Sequence, residues 1–117
     1  MFSQIKSNRL KLGVNSEGAL VISGRSVSVE NQNYYDEIIS KCRNMQSPVL
    51  SGTINLEYIS CASFRKIIEL FQVIEQNESI LKAVISFFVD TDDEYQQEMW
   101  LLATSAPEKI NYQLYAR

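Results

Sequence analysis

The sequence predicts an α/β fold, a single domain over residues 1–117 with a mixed β-sheet of about five strands and about three helices packed on it. Two observations predict it. Segments in which apolar and polar residues alternate, as in a strand, are interleaved with segments whose apolar residues recur at helical spacing. The composition, 45% apolar and 21% charged, is typical of a globular chain that buries a core without disulfides or metals.

The first predicted unit is a β-hairpin. Leu10, Leu12 and Val14 alternate with other residues and share one face of a strand. Residues 15–18 read Asn-Ser-Glu-Gly, a cluster typical of a turn, and residues 19–23 form a second β-rich run.

A helix is predicted next. Ser28 is a candidate N-cap for a helix that starts near Val29. Its buried face is predicted to consist of Tyr35, Ile38, Ile39 and Cys42.

Residues 53–59 alternate strongly, so a strand is predicted in which Ile54, Leu56 and Tyr58 face the same way. A second helix follows, because apolar residues then recur at helical spacing and charged residues fill the other side. The apolar positions of this helix are Phe64, Ile67, Ile68, Phe71 and Ile74.

Residues 81–89 are almost continuously apolar and rich in Val, Ile and Phe. Such a run predicts a central strand covered on both faces. A third helix is predicted over about residues 92–103 and a last strand over 110–114. Met99 and Trp100 on the third helix are expected in the core, with a partner surface as the alternative.

Several absences narrow the function. The chain has no His, which excludes His-based triads, His zinc sites and histidine pH switches. Its net charge is −3 and its basic residues are scattered, so nucleic acid is not an expected partner. No apolar run is long enough for membrane insertion, and residues 1–6 lack the apolar segment of a signal peptide. We therefore expect no signal peptide, no membrane insertion, no metal or other cofactor and no hydrolase activity.

The acidic residues at 90–94 are candidate metal ligands. Asp90, Asp92, Asp93 and Glu94 are hard oxygen donors, but their spacing does not match a calcium-binding loop. Acidic residues are common at helix starts, where they cap the backbone and complement the helix dipole. The sequence thus predicts a helix start here and no metal.

The junction between the strand at 53–59 and the helix after it is the most informative segment. It delivers Ser60, Cys61 and Ser63 to the first turn of a helix, where unpaired N–H groups favour an anion. Ser60 is either a simple N-cap or, like Ser63, a candidate for phosphorylation. Cys61 is either structural or a reactive thiol, and a disulfide with Cys42 stays open.

Three segments together resemble the SiaC-like regulatory phosphoproteins. Residues 24–31 with the tyrosines at 34 and 35 are similar to that family's "GRS-x-P-E-N … F-Y" opening. Residues 56–66 are similar to its "L-x-Y-F-N-T-S-S-x-K" junction, and residues 89–94 to its "Y-D-x-D-D-E" segment. The order and spacing agree over about residues 10–115.

The resemblance implies a STAS-like fold, related to anti-sigma-factor antagonists, and a small cytoplasmic bacterial regulator that is not itself an enzyme. It implies a Ser/Thr kinase that phosphorylates the protein, a PP2C-type phosphatase that reverses this, and a diguanylate cyclase bound by the unphosphorylated form, with a link to biofilm regulation. The partner-binding residues expected on this basis are Tyr58, Ser60, Cys61, Ser63, Arg65, Lys66, Asp92 and Asp93.

This chain departs from the family at the switch itself. The family's phosphoacceptor threonine falls on Cys61, which a Ser/Thr kinase cannot phosphorylate. Either Ser60 or Ser63 then takes the phosphate, or the chain is a constitutive binder. Two further alternatives are a thiol-reactive protein that uses Cys61 and a structural domain or homodimer without a signalling role.

Overall fold

The computed structural model describes residues 2–6, 10–26, 31–105 and 107–117. Strands and helices follow one another in the order β-β-β-α-β-α-β-α-β. The strands are β1 (Phe2–Lys6), β2 (Leu10–Asn15), β3 (Ala19–Ser26), β4 (Val49–Ile59), β5 (Lys82–Val89) and β6 (Ile110–Ala116). The helices are α1 (Asn31–Arg43), α2 (Cys61–Gln76) and α3 (Glu94–Thr104).

All six of these strands form one mixed sheet, in the order β1-β2-β3-β4-β5-β6. The first three pair antiparallel, and β3 through β6 pair parallel. Each parallel pair is joined by one helix, and each connection moves one strand in the same direction across the sheet. Since such crossovers are right-handed, α1, α2 and α3 all cover the same face. The predicted α/β class with a mixed sheet is confirmed.

The sheet has one strand more than the sequence predicted. β1 pairs antiparallel with β2, with Phe2 opposite Asn15 and Lys6 opposite Lys11. The predicted hairpin of β2 and β3 is confirmed, and the side-chain oxygen of Asn15 accepts hydrogen bonds from the N–H groups of Glu17 and Ala19 across the turn.

The prediction that residues 81–89 are covered on both faces is wrong. Burial in β5 alternates: Ala83, Ile85, Phe87 and Val89 are buried, whereas Val84, Ser86 and Phe88 are only half-buried. The reason is topological, because helices on a single face leave the other face of the sheet open. Phe88 instead stacks on Tyr115 of β6, with the ring centroids 5.1 Å apart.

The core lies between the sheet and the helices and is rich in aromatic rings. Phe87 stacks on Trp100 with centroids 4.8 Å apart and meets Phe71 edge-on at 6.2 Å. Phe71, Phe87 and Trp100 are fully buried and Met99 nearly so. The predicted packing of α2 on the sheet, and the core role of Met99 and Trp100, are confirmed.

The helix ends predicted from the sequence agree with the structure wherever they fall on described residues. Asp93 caps α3 by accepting a hydrogen bond from the Gln96 N–H at 3.0 Å, so the acidic run does start a helix. Asn77 ends α2, and its amide donates to the carbonyls of Cys42 and Met45, which ties the ends of two helices together. The predicted cap at Ser28 lies outside the described residues. Across the described part of the chain, no helix combines the length and the apolar character that crossing a membrane requires.

Candidate functional site: the β4–α2 junction

A bulge in β4 shapes the junction. Gly24 of β3 is opposite Leu56, but the next residue, Arg25, is opposite Tyr58, so Glu57 is an extra residue in β4. An extra residue reverses the facing of every side chain after it. The prediction that Tyr58 faces with Leu56 is therefore wrong. Tyr58 is 49% exposed, whereas the following Ile59 is buried.

β4 has already separated from β5 before it reaches the bulge. The pairing of the two strands ends at Ile54 and Phe87. The carbonyl of Leu56 is satisfied by side chains instead: the Gln96 amide donates to it at 3.0 Å and the Arg117 guanidinium at 3.2 Å. The side chains of Gln96 and Arg117 thus hold the end of β4 in place.

The two serines of the junction, Ser60 and Ser63, are hydrogen-bonded to each other. Ser60 is the N-cap of α2, and its hydroxyl oxygen accepts from the Ser63 N–H at 3.2 Å. The Ser60 hydroxyl also donates to the Ser63 hydroxyl oxygen at 3.1 Å. Ser60 is half-buried and Ser63 fully buried. The capping role of Ser60 is confirmed, and Ser63 points into the protein.

Cys61, by contrast, is exposed on the first turn of α2. It lies near Tyr95 of α3, and its electrostatic interaction with the phenol raises the pKa of Tyr95. Tyr95 is 64% exposed. Cys61, Tyr95 and Tyr58 line a shallow cavity of 120 Å³, together with Glu57, Ile59, Asp93, Gln96 and Met99.

The positively charged side chain of Arg25 lies at the edge of the exposed residues of the junction. The guanidinium carbon of Arg25 lies 5.8 Å from the centroid of the Tyr58 ring, a cation–π distance. On β3 the register shift lies between Gly24 and Arg25. The shift that exposes Tyr58 therefore also sets Arg25 opposite Tyr58. We call the exposed set Arg25, Tyr58, Cys61 and Tyr95 the junction surface.

Of the other residues predicted to bind a partner, Arg65 and Asp92 are exposed and Asp93 lines the cavity as the cap of α3. Lys66 is occupied elsewhere. Its ammonium lies 2.6 Å from Asp36 of α1 and 3.6 Å from Glu69, and the hydrogen bond with Asp36 is the main cause of its raised pKa. Lys66 therefore joins α1 to α2.

The two cysteines are free, so the disulfide left open by the sequence is excluded. Burial raises the pKa of the Cys42 thiol to about 12. Within residues 2–6, 10–26, 31–105 and 107–117, no group of three or more Cys, Asp or Glu side chains is placed to hold a metal ion. Asp90 of the acidic run instead faces the Arg117 guanidinium at 3.3 Å.

The geometry of the junction suits a protein partner better than a small molecule. Ligand pockets usually hold roughly 300–1,000 Å³, and this cavity is well below that range. A larger open groove of 610 Å³ lies between α1 and the β2–β3 turn, but none of the residues predicted for the site lines it. Two exposed tyrosines beside a charged rim are instead the composition of a protein interface.

Comparison with known proteins agrees with a protein-binding role. A family model described as SiaC family regulatory phosphoprotein matches residues 11–113. The chain belongs to the SiaC family. Among solved structures, SiaC of Pseudomonas aeruginosa without a partner is similar with a TM-score of 0.79 at 13% identity, over 99% of both chains. None of the curated proteins matches the chain.

A second similar structure is that of SiaC of Pseudomonas aeruginosa bound, as activator, to the diguanylate cyclase SiaD. Its TM-score is 0.77 at 14% identity, over 96% of this chain and 98% of the other. At this identity the likeness shows a shared fold. Membership of the SiaC family gives this chain a regulatory role.

Sequence reasoning missed four residues at the junction: Arg25, Tyr95, Gln96 and Arg117. Tyr95 and Gln96 follow the helix start at Asp93, so their facing could have been read from helical spacing once the N-cap was known. Arg25 falls in the segment that resembles the family's opening, but its contact with Tyr58 depends on the bulge, and the contacts of Arg117 depend on where β6 ends.

Proposed function

We propose that this SiaC-family chain is a non-catalytic regulator that binds a diguanylate cyclase through the junction surface and that a phosphate on Ser60 releases it. A Ser/Thr kinase would add the phosphate and a PP2C-type phosphatase would remove it. The observation that carries the proposal is the exposed cluster of Tyr58, Cys61 and Tyr95 beside the capping hydroxyl of Ser60.

The junction surface has the features of an interface centre. Tyr58 and Tyr95 each present a large ring with a polar tip, and such residues contribute much of the binding energy in protein interfaces. Tyr58 also has a contact within the chain, the Arg25 guanidinium near its ring. Such a contact restricts the free ring, so Tyr58 loses less conformational entropy when a partner covers it.

Ser60 is the better of the two serine candidates. A phosphate on its hydroxyl would lie at the N-terminus of α2, where backbone N–H groups and the helix dipole stabilise an anion. The added charge would lie beside Tyr58 and Cys61, where it would oppose docking of a partner. Ser63 is fully buried, so a kinase could reach it only after the first turn of α2 opens.

A second candidate function is constitutive binding without a switch. It is favoured by Cys61, which is exposed at the family's phosphoacceptor position, and by the hydrogen bonds that occupy both serine hydroxyls. Under this alternative the chain binds the cyclase at all times and its abundance sets the output.

The test begins with affinity purification of the tagged chain from its host and identification of the retained proteins by mass spectrometry. The purified cyclase is then titrated with wild type, Ser60→Ala and Ser60→Asp. Asp is itself a good N-cap, so the fold of the last variant should be kept. We expect the first two to bind and Ser60→Asp to lose binding by about tenfold or more, which is about 1.4 kcal/mol.

Ser16→Asp is the matched control, since Ser16 is exposed in the turn between β2 and β3, away from the junction residues. Cys61→Ser should keep binding, and Cys61→Thr should give the kinase its usual acceptor. Absence of any cyclase among the retained proteins would refute the proposed function. Equal affinity of Ser60→Asp, Ser63→Asp and wild type would refute the switch and leave constitutive binding.

A further inference from the structure

We propose that the outer edge of β6 pairs with β6 of a second copy, so that the chain forms a symmetric dimer with one continuous sheet. β6 is the last strand of the sheet, and among the described residues no strand lies on its far side. The proposal concerns a surface separate from the junction and does not depend on the proposed function.

The backbone N–H and C=O groups of β6 fall into two sets, one that points to β5 and one that points away from the sheet. The carbonyl of Lys109 accepts from Ala83, and the N–H of Arg117 donates to Val89, so both bond to β5 and its extension. In a strand, the N–H and C=O of one residue point to the same side and successive residues alternate. Odd-numbered residues therefore bond to β5, whereas Ile110, Tyr112, Leu114 and Ala116 direct their backbone groups outward.

β6 also lacks the devices that protect sheet edges. Its seven residues, Ile-Asn-Tyr-Gln-Leu-Tyr-Ala, contain no charge, no Pro and no Gly. Exposed edges usually carry such residues because an unprotected edge pairs with other chains. The flanking cations are occupied within the chain: the Lys109 ammonium donates to the Asn77 carbonyl at 2.8 Å, and Arg117 pairs with Asp90.

Exposed apolar side chains of β6 lie on both faces of the sheet. Tyr112 and Leu114, which are opposite Ile85 and Phe87, lie on the helix-covered face and are each 38% exposed. Tyr115 is opposite Phe88, on the open face, and is 42% exposed. The exposed Leu101 and Leu102 belong to α3, which packs on β5 and β6. The edge thus carries apolar surface that pairing would cover.

An antiparallel register in which Gln113 lies opposite Gln113 of the second copy pairs the two β6 strands over their full length. It sets Tyr112 opposite Leu114 of the second copy, and these two outward-directed residues exchange both backbone hydrogen bonds. On the open face it sets Asn111 opposite Tyr115. Aromatic–aliphatic cross-strand pairs of this kind stabilise sheets. A twofold axis perpendicular to the sheet generates the pairing and keeps all helices on one face.

The first test is the oligomeric state of the full chain, measured by light scattering on a sizing column from low to high micromolar concentration. We expect a dimer. Gln113→Lys places two like charges directly opposite each other across the axis and should give a monomer. Gln72→Lys, the same change at an exposed position of α2, should leave the dimer intact.

Leu114→Pro is an independent test, because the N–H it removes points outward and the ladder with β5 keeps its bonds. It should give a monomer with an unchanged circular dichroism spectrum. Gln113→Cys in a Cys61→Ser background should form an intermolecular disulfide on mild oxidation, since opposite residues without hydrogen bonds have Cα atoms about 4.5 Å apart. A monomeric wild type, or a dimer that survives both Gln113→Lys and Leu114→Pro, would overturn the proposal.

Discussion

The side-chain amide of Gln96 donates a hydrogen bond of 3.0 Å to the backbone carbonyl of Leu56, the last residue of β4 before the bulge. Gln96 is buried on α3, and its own carbonyl oxygen accepts from the indole N–H of Trp100 at 3.3 Å. The core ring of Trp100, helix α3 and the end of β4 are thereby joined in one chain of hydrogen bonds. This link lies directly before the bulge that turns the Tyr58 side chain outward.

Gln96→Leu should lower the free energy of unfolding by about 1–3 kcal/mol, since it removes an acceptor from Trp100 and a donor from a buried carbonyl. Urea denaturation measures the change. Gln72→Leu, at an exposed position on α2, is the control and should change stability by less than about 0.5 kcal/mol. Equal stability of the two variants would show that the Gln96 bonds are not needed to hold the junction.

Phe71→Ala should cost roughly 3–5 kcal/mol of unfolding free energy, because Phe71 is fully buried and meets Phe87 edge-on. Phe88→Ala removes the same side chain from the half-buried open face and should cost less. Both values follow from the same denaturation experiment. A loss below about 1 kcal/mol for Phe71→Ala would contradict the packing of α2 on the sheet.

The two cysteines should differ sharply in reactivity with a thiol reagent such as a dithiobenzoate. Cys61 is exposed, whereas Cys42 is buried with a pKa raised to about 12. Only the thiolate reacts, so the native protein should show one fast thiol and the unfolded protein two. Cys61→Ser should abolish the fast phase. Two fast thiols in the native wild type would contradict the burial of Cys42.

Gly18→Ala should destabilise the β2–β3 turn by more than about 1 kcal/mol, since alanine is disfavoured at a positive φ. Gly18 has a φ of +91°, and a Cβ there would lie 2.2 Å from the carbonyl oxygen of Val49. The Gly18 carbonyl also accepts from the Ser51 N–H at 2.7 Å. Thermal unfolding should show the loss, and Ser16→Ala in the same turn should leave the midpoint unchanged. A full-stability Gly18→Ala variant would exclude this turn geometry.

Much of the fold could be predicted because its signals are local. Alternation identified β2 and the first part of β4, a β-rich composition identified β3, and helical spacing identified α2. The side-chain orientation beyond Leu56 could not be predicted, because no Gly or Pro lies at the bulge within β4 itself; the glycine at the register shift, Gly24, belongs to β3. The run at 81–89 was misread for a different reason: its apolar residues on the open face are covered in part by neighbours such as Tyr115, which sequence periodicity does not report.

At the site, the residues of the junction itself were predicted and their partners from other elements were not. Ser60 as a cap follows from its place before an amphipathic helix. The position of Cys61 near Tyr95 depends on how α2 and α3 pack. The burial of Ser63 depends likewise on the direction of α2 over the sheet, which spacing alone does not give.

The most direct test of the proposed docking site is calorimetric titration of the diguanylate cyclase identified by affinity purification with wild type, Tyr95→Ala and Leu81→Ala. Both changed side chains are exposed, but Leu81 lies beside Pro48 where β5 begins, whereas the junction surface lies where β4 ends. We predict that Tyr95→Ala weakens binding by about tenfold or more, as expected for a tyrosine at an interface centre, and that Leu81→Ala binds like wild type. Equal affinity of Tyr95→Ala and wild type would contradict the assignment of the junction surface as the docking site.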